Sequence, residues 1–324
     1  MLVVCMCSSL LLANQNQAIL EGKAECVMEV NSRRVLYEWN ADTRLPMAST
    51  TKIVTAMTVF SLCEDLKEEV SIPAIAIGVE GSSAYLKEGE RYTIEELLYG
   101  LMLRSGNDCA TALAIHSAGS LAAFATKMNE TAQKSGALHS NFENPHGLPA
   151  DGHYTTASDL TAITCFAMQN SAFKQIVSTK YYEPRHWKNK NKMLINYKGA
   201  IGVKTGYTKE AGRCLVTAAE REGMMLVCTV LNCPTMYERT SQLLDDAFSA
   251  YQMVQLMDKG EKFLVGDRYG VVRESFSYPL LQGEEEAVEY DISPSENCFN
   301  HEIIGHLKIT VAKRLLFLTN LYKL

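Results

Sequence analysis

A long helical stretch held between two groups of strands is what most restricts the folds open to this chain. Residues 24–30 and 34–39 read as two short strands joined at Asn31-Ser32-Arg33, a hairpin signal. Apolar residues then recur mostly at helical spacing from 55 to 175. Within that span, Thr93 followed by Glu96 marks a capped helix start, and that helix should end near Arg104. Helices at 108–118 and 121–133 follow, the second closing at Gly136. After Tyr181 the spacing changes to that of strands, at 193–196, 201–204, 214–219 and 224–231. Residues 240–257 predict an amphipathic helix with Leu243, Leu244, Ala247, Phe248, Tyr251 and Val254 on one side. From Gly260 onward, short apolar runs at 263–265, 269–272, 287–290 and 307–311 predict a separate small β-rich unit. Helices inserted between the first strands and the last place the chain in the mixed α/β (α+β) class.

With 324 residues, 47 % of them apolar, the chain suffices for two domains with buried cores. The formal net charge of -6 is dispersed without long runs, so no nucleic-acid partner is expected. Residues 1–12 form an apolar block too short to cross a bilayer but of the right length for the core of a signal peptide. Residues 13–18 offer small and polar positions for cleavage, although no Lys or Arg precedes the block. Export is therefore expected, with a signal peptide over 1–18. The ten cysteines contain no Cys-x-x-Cys and no cluster with histidine at metal-ligand spacing. Most lie in apolar segments such as Cys214-Leu215-Val216 and are expected to be core thiols. Scattered cysteines are unusual in an oxidising compartment, and an anaerobic source would reconcile them. No metal and no other cofactor is expected.

The chemistry concentrates in three short motifs in one order: Ser49-x-x-Lys52, Ser105-Gly106-Asn107 and Lys204-Thr205-Gly206. Each has a decoy, namely Ser171-x-x-Lys174, Ser295-Glu296-Asn297 and Lys134-Ser135-Gly136. Context separates them. Ser49 lies in a small-residue turn where a helix begins, which puts Lys52 on the same face of the first turn. Ser105-Gly106-Asn107 falls in a turn between helices, and Lys204 on a strand, whereas Lys134 closes a helical pattern. Together these residues suit acyl transfer. Ser49 would attack a carbonyl, and Lys52 would take its proton if its pKa is pulled down. A second cation, Lys204, would help keep Lys52 neutral and hold an anionic group, Ser105 would relay a proton to the leaving amine, and Asn107 would orient the substrate amide. The backbone N–H groups of Ser49 and Tyr207 are the candidates for an oxyanion hole.

Beyond these motifs, Gly81-Ser82-Ser83, the run from Leu98 to Asp108, Asn144-Pro145-His146-Gly147-Leu148-Pro149 and Ala211-Gly212-Arg213-Cys214-Leu215-Val216 carry a specific likeness. From residue 22 to 257 the chain resembles the serine-type D-alanyl-D-alanine carboxypeptidases, the low-molecular-mass penicillin-binding proteins. The resemblance implies a β-lactamase/transpeptidase-like domain over 19–257, with an antiparallel sheet, a helical subdomain and the active site between them. It implies removal of the terminal D-alanine from peptidoglycan stem peptides ending in D-Ala-D-Ala, through a Ser49 acyl-enzyme that β-lactams also form. Thr205, Gly206 and Tyr207 join Lys204 as substrate-binding residues on the same grounds. The expected location is the outer face of the cell membrane or the cell wall.

Two departures stand out. Arg33 occupies a hairpin position where the family has glycine, which should alter the turn but not the chemistry. After Met257 the chain is shorter than the β-sandwich domain of its relatives, so 258–324 is expected to form an incomplete β domain. Residues 313–324 read either as a strand of that domain or as a basic amphipathic helix in weak contact with a membrane surface; the strand is preferred. A β-lactamase shares the motifs, but no added glutamate base is evident between Asn107 and Lys204. A non-hydrolytic β-lactam-binding module is the other alternative. His146 reads as part of a structured turn, and Asp159 as helix-start chemistry rather than as an acid–base partner of Asp151. Arg239 is a weaker candidate for holding a substrate carboxylate.

Overall fold

The computed structural model describes residues 21–295 and 302–324. The expected signal peptide, with Cys5 and Cys7, and Cys298 lie outside the described residues. The chain divides into two compact units, Met1–Arg221 with Met225–Asp245, and Glu222–Met224 with Asp246–Leu324.

The strands of the first unit are β1 (Ala24–Glu29), β2 (Val35–Trp39), β3 (Glu69–Ser71), β4 (Arg91–Thr93), β5 (Tyr181–Tyr182), β6 (Trp187–Lys188), β7 (Lys204–Thr208), β8 (Gly212–Arg221) and β9 (Met224–Leu231). Five of them form the main sheet in the order β2-β1-β9-β8-β7. Strand β1 is buried along its whole length, because the helix Ala157–Met168 packs on it while β2 and β9 flank it antiparallel. The helix Lys52–Leu62 is apolar nearly all round, with every residue from Lys52 to Val59 buried, and so runs through the core. The same buried cluster holds Met47, Leu97, Leu101, Phe124, Leu160 and Phe173.

Local signals explain several ends. Thr93 Oγ1 accepts from the Glu96 N–H at 3.1 Å and Glu96 Oε2 accepts from the Thr93 N–H at 2.9 Å, closing the expected capping box. The helix Ile94–Tyr99 continues into a wider turn, Gly100–Arg104, which ends on Ser105 at φ +62°. Arg33 sits at φ +57°, the left-handed region that glycine would fill without strain. Its guanidinium donates to the Ala162 carbonyl at 2.6 Å, which ties the hairpin turn to the helix beneath it.

Three expectations are corrected. The strand expected at 201–204 begins only at Lys204 and runs on to Thr208 as β7. Residues 193–196 form a helical turn, Met193–Asn196, not a strand. Asn191 Oδ1 accepts from the Met193 N–H at 3.0 Å and starts the turn, and a four-residue apolar run has no period to reveal it. The helix expected over 240–257 is Met236–Ala250, and Tyr251–Met257 is strand β10. Tyr251 and Val254 match the helical stripe, yet they pair across a strand ladder instead, so tertiary pairing overrides local period.

In the second unit β10 pairs with β13 (Phe276–Leu281). A five-stranded sheet joins β11 (Lys262–Val265), β12 (Arg268–Val271), β16 (Arg314–Lys323), β15 (Ile303–Val311) and β14 (Val288–Pro294) in that spatial order. Leu256 and Leu280 of the two-stranded sheet share one buried cluster with Leu307, Ile309 and Leu321 of the five-stranded one, and Phe276 stacks on Phe317 at 4.3 Å between centroids. The segment after Lys313 is a strand, not a helix.

None of the described cysteines forms a disulfide. Burial pushes the Cys26 thiol up to about 12 and those of Cys214 and Cys233 to about 11, so they act as small apolar side chains.

Candidate active site

Ser49 follows a backbone position that few side chains adopt, Ala48 at φ +50°. The turn is held from beneath. Thr50 Oγ1 donates to the Met47 carbonyl at 2.6 Å and Thr51 Oγ1 to the Ala48 carbonyl at 2.8 Å. With its own proton committed, Thr51 accepts from His153 Nε2 at 2.8 Å, while His153 Nδ1 accepts from the Glu143 N–H at 3.0 Å. That assigns the neutral Nε2–H tautomer, in keeping with burial, which pulls His153 down to about 4. Gly147, at φ +88°, lies so close to the Ala48 carbonyl that no Cβ would fit.

Lys52 opens the core helix and is fully buried. Its Nζ lies 2.7 Å from Asn107 Oδ1, 2.6 Å from the His146 carbonyl oxygen and 3.1 Å from Ser49 Oγ. The Asn107 amide is oriented by its Nδ2, which donates to the Glu80 carbonyl, so Oδ1 can only accept. Burial, and next the charge of Lys204, hold Lys52 well below the ordinary lysine value. A neutral amine has two N–H donors and one lone pair. In that neutral form the two pure acceptors take the donors, and the lone pair is left facing Ser49 Oγ.

Asn107 begins the helix Asn107–Ala118, directly after Ser105 and Gly106. Its neighbour Asp108 is 3 % exposed and gathers the loop opposite. It accepts from Ser83 Oγ at 2.6 Å, from the Ala84 N–H at 3.0 Å and from the Leu86 N–H at 3.2 Å. The Asn107 N–H itself donates to the Ser82 carbonyl at 2.7 Å. Asp108→Asn turns an acceptor-only group into a part donor facing two backbone N–H groups. A loss of about 1–3 kcal/mol in stability, read by thermal or urea unfolding, is expected together with slower acylation of Ser49.

Strand β7 is the outermost strand of the main sheet. A Cβ on Gly206 would come within 2.9 Å of the Met47 carbonyl and 3.1 Å of the Ser49 nitrogen, so glycine lets this strand lie against the nucleophile's turn. Lys204 is 2 % exposed and donates to the Thr205 carbonyl at 2.9 Å; burial, and then Lys190, bring it down to about 7. Tyr207 is 66 % exposed and Thr205 partly so.

Direct hydrogen bonds thus bring together Ser49, Lys52 and Asn107, and the charge of Lys204 acts on Lys52. Ser105 adjoins them in the chain but bonds to none of them among the described residues. His146 contributes its backbone oxygen, and its ring Nδ1 accepts from the Leu148 N–H at 3.3 Å. Asp159 accepts from the His139 N–H and from Ser140 Oγ rather than facing Asp151. Arg239 is buried in an ion pair with Glu25, 2.7 Å away. Residues that the motifs did not reveal are Asp108, the His146 carbonyl and Lys190, whose Nζ donates to Ser82 Oγ at 3.3 Å.

Residues 12–235 match the family model for D-alanyl-D-alanine carboxypeptidases, Peptidase_S11. The chain belongs to that family. A D-alanyl-D-alanine carboxypeptidase of Streptomyces sp. (strain K15) is 39 % identical over 229 residues, covering 64 % of this chain and 79 % of that one. One from Bacillus subtilis (strain 168) is 32 % identical over 255 residues, 74 % of this chain and 66 % of its own length. The match thus spans just under two thirds of the Bacillus relative. Among solved structures, the Streptomyces K15 DD-transpeptidase superposes with TM-score 0.67 at 34 % identity, covering 71 % of this chain and 98 % of that one. Penicillin binding protein 5 from Haemophilus influenzae gives TM-score 0.80 at 24 % identity over 94 % and 96 % of the two chains, a likeness of fold. The fold of this carboxypeptidase-family chain is therefore the transpeptidase-like one expected from its motifs.

Proposed function

We propose that the protein is a serine DD-carboxypeptidase that removes the terminal D-alanine from peptidoglycan stem peptides and is acylated by β-lactams. The observation that carries this reading is the buried Lys52 Nζ, held well below the ordinary lysine value, 3.1 Å from Ser49 Oγ. Lys52 takes the Ser49 proton as Oγ bonds to the carbonyl carbon of the penultimate residue. The oxygen of the tetrahedral adduct lies between the Ser49 and Tyr207 N–H groups. Collapse breaks the C–N bond, the proton returns to the amine through Ser105, and D-alanine leaves. Water then cleaves the Ser49 ester by the same proton path in reverse. Lys204 and the Thr205–Tyr207 edge hold the substrate. Export, supported by the apolar block at 1–12, would bring the enzyme to its polymeric substrate at the outer face of the membrane or in the cell wall.

The test is D-alanine release from diacetyl-Lys-D-Ala-D-Ala by the parent and by Ser49→Ala. Release by the parent alone is expected; an untouched peptide beside catalytic destruction of penicillin would replace this reading with a β-lactamase. The protonation states supply a second check. Acylation requires neutral Lys52, so its rate falls as pH drops through the Lys52 pKa. Lys204 lowers that pKa by repulsion. Lys204→Met removes the repulsion and raises it, and the acidic limb of the acylation rate should move to higher pH. A limb that stays in place would remove Lys204 from the control of Lys52.

A further inference from the structure

Positive charge is concentrated in one segment of this acidic chain. Residues 180–198 hold six of the 31 Lys and Arg residues against one acid, Glu183, a net +5, while the remaining 25 basic and 36 acidic residues net -11. The β5–β6 hairpin in this segment has two unlike faces. Tyr182 lies opposite Trp187 and Tyr181 opposite Lys188, and neighbours along a strand point to opposite sides. On one side Trp187 is buried and Tyr182 stacks on Tyr99 at 4.0 Å between centroids. On the other, Tyr181 and Lys188 join Lys180, Asn191, Leu194 and Ile195 in lining a cleft of about 160 Å³. Its wall is braced by amides. Asn189 Nδ2 donates to the Thr179 carbonyl at 3.0 Å, Asn189 Oδ1 accepts from the Asn191 N–H at 2.9 Å, and Asn191 Oδ1 accepts from the Met193 N–H at 3.0 Å. This leaves the buried Asn191 Nδ2 without a partner. Lys180 and Lys188 are exposed, and among the described residues neither ammonium group makes an ion pair or hydrogen bond. Lys174 and Lys127, by contrast, each pair with a carboxylate.

We infer that this cleft is a binding site for an anionic saccharide, with the oxyanion met by Lys180 and Lys188 and the sugar ring laid against Tyr181 and Ile195. Two unpaired cations above an amide donor that lacks an acceptor call for a negatively charged oxygen. A bare ion would leave the apolar lining unused. Tyr181 is 43 % exposed and Ile195 67 %, and the Tyr181 hydroxyl is hydrogen-bonded to His186 Nδ1 at 3.0 Å, which steadies the ring. A sugar matches both halves of the lining, since it has C–H faces that pack on an aromatic ring and polar edges that carry the oxyanion. The volume, about that of five waters in the liquid, suits one ring and not several. Lysine ammonium groups act as point charges, so phosphate and carboxylate oxygens are both suited to them.

The experiment measures dissociation constants for glucose 6-phosphate, glucuronate, glucose and inorganic phosphate on the full chain, by saturation-transfer NMR at one fixed ionic strength. The two anionic sugars differ from glucose only at C6. The parent should bind at least one of them about fivefold or more tightly than it binds glucose or inorganic phosphate. The double variant Lys180→Gln with Lys188→Gln should weaken that binding by about 5–30-fold, the range for loss of two charge-assisted contacts at a partly open site. Tyr181→Ala should weaken the anionic sugar and leave inorganic phosphate unchanged. Preference for glucose 6-phosphate identifies a phosphate-bearing unit and preference for glucuronate a carboxylate-bearing one, and either result supports the site. No binding of either anionic sugar, glucose or inorganic phosphate bound as tightly as both, or binding that survives the double lysine change overturns it. Both lysines are exposed, so the double variant tests the cleft and not the fold, and the assay reads no acylation, so its outcome is independent of the Ser49 mechanism.

Discussion

Lys52→Ala is expected to slow acylation of Ser49 by about 10²–10⁴-fold, the range for loss of a positioned general base. The reason is geometric. Asn107 Oδ1 and the His146 carbonyl consume both N–H donors of the neutral amine, so its lone pair has one place to point. Lys52→Arg separates charge from basicity, since a guanidinium keeps a cation near the site but cannot take a proton at working pH. Both variants should lose rate to a similar degree, measured as penicilloyl adduct formed per second. An arginine variant acylated near the parental rate would show that position 52 supplies charge and not a base. Lys52→Ala also leaves two buried acceptors unpaired, and a stability loss of about 1–3 kcal/mol should accompany it.

Arg239→Ala should have the largest effect on stability and little on acylation. The guanidinium is 1 % exposed and Glu25 fully buried, with contacts of 2.7, 3.0 and 3.1 Å between them. Tyr37 Oη lies 2.9 Å from the same guanidinium, and the Gly22 N–H donates to Glu25. Removing the cation leaves a buried carboxylate uncompensated, at a cost of about 3–5 kcal/mol, or roughly 6–20 °C in Tm. Much of that is the penalty of the stranded charge and not the worth of the pair. The double variant Glu25→Met with Arg239→Met should therefore recover a large part of the loss. If the single variant keeps its stability but loses acylation, Arg239 acts in the site after all.

Different parts of this arrangement were legible in the sequence for different reasons. The capping box at Thr93 and Glu96 is closed by groups three residues apart, so the chain announces it locally. Ser49, Lys52, Asn107 and Lys204 were visible because they fall in three motifs whose order resembles that of a known family, although the spacing of each motif alone also occurs in a decoy. The destination of Arg239 was not visible, for its partner Glu25 is 214 positions away and either residue would read as a surface charge. The third partner of Lys52 was hidden more deeply, because a backbone carbonyl is offered by every residue and no side chain at position 146 marks it. At Tyr251–Met257 the local pattern pointed to a helix, and only pairing with Phe276–Leu281 makes it a strand.

The measurement that bears most directly on the Ser49 mechanism is the mass of the intact protein after incubation with benzylpenicillin, followed by peptide mapping of the adduct, with Ser49→Ala beside it. One penicilloyl group on Ser49 of the parent, and none on the variant, is the predicted result. An adduct that survives in Ser49→Ala, or a parent that remains unmodified while the penicillin stays intact, would contradict the assignment of Ser49 as the nucleophile and Lys52 as its base.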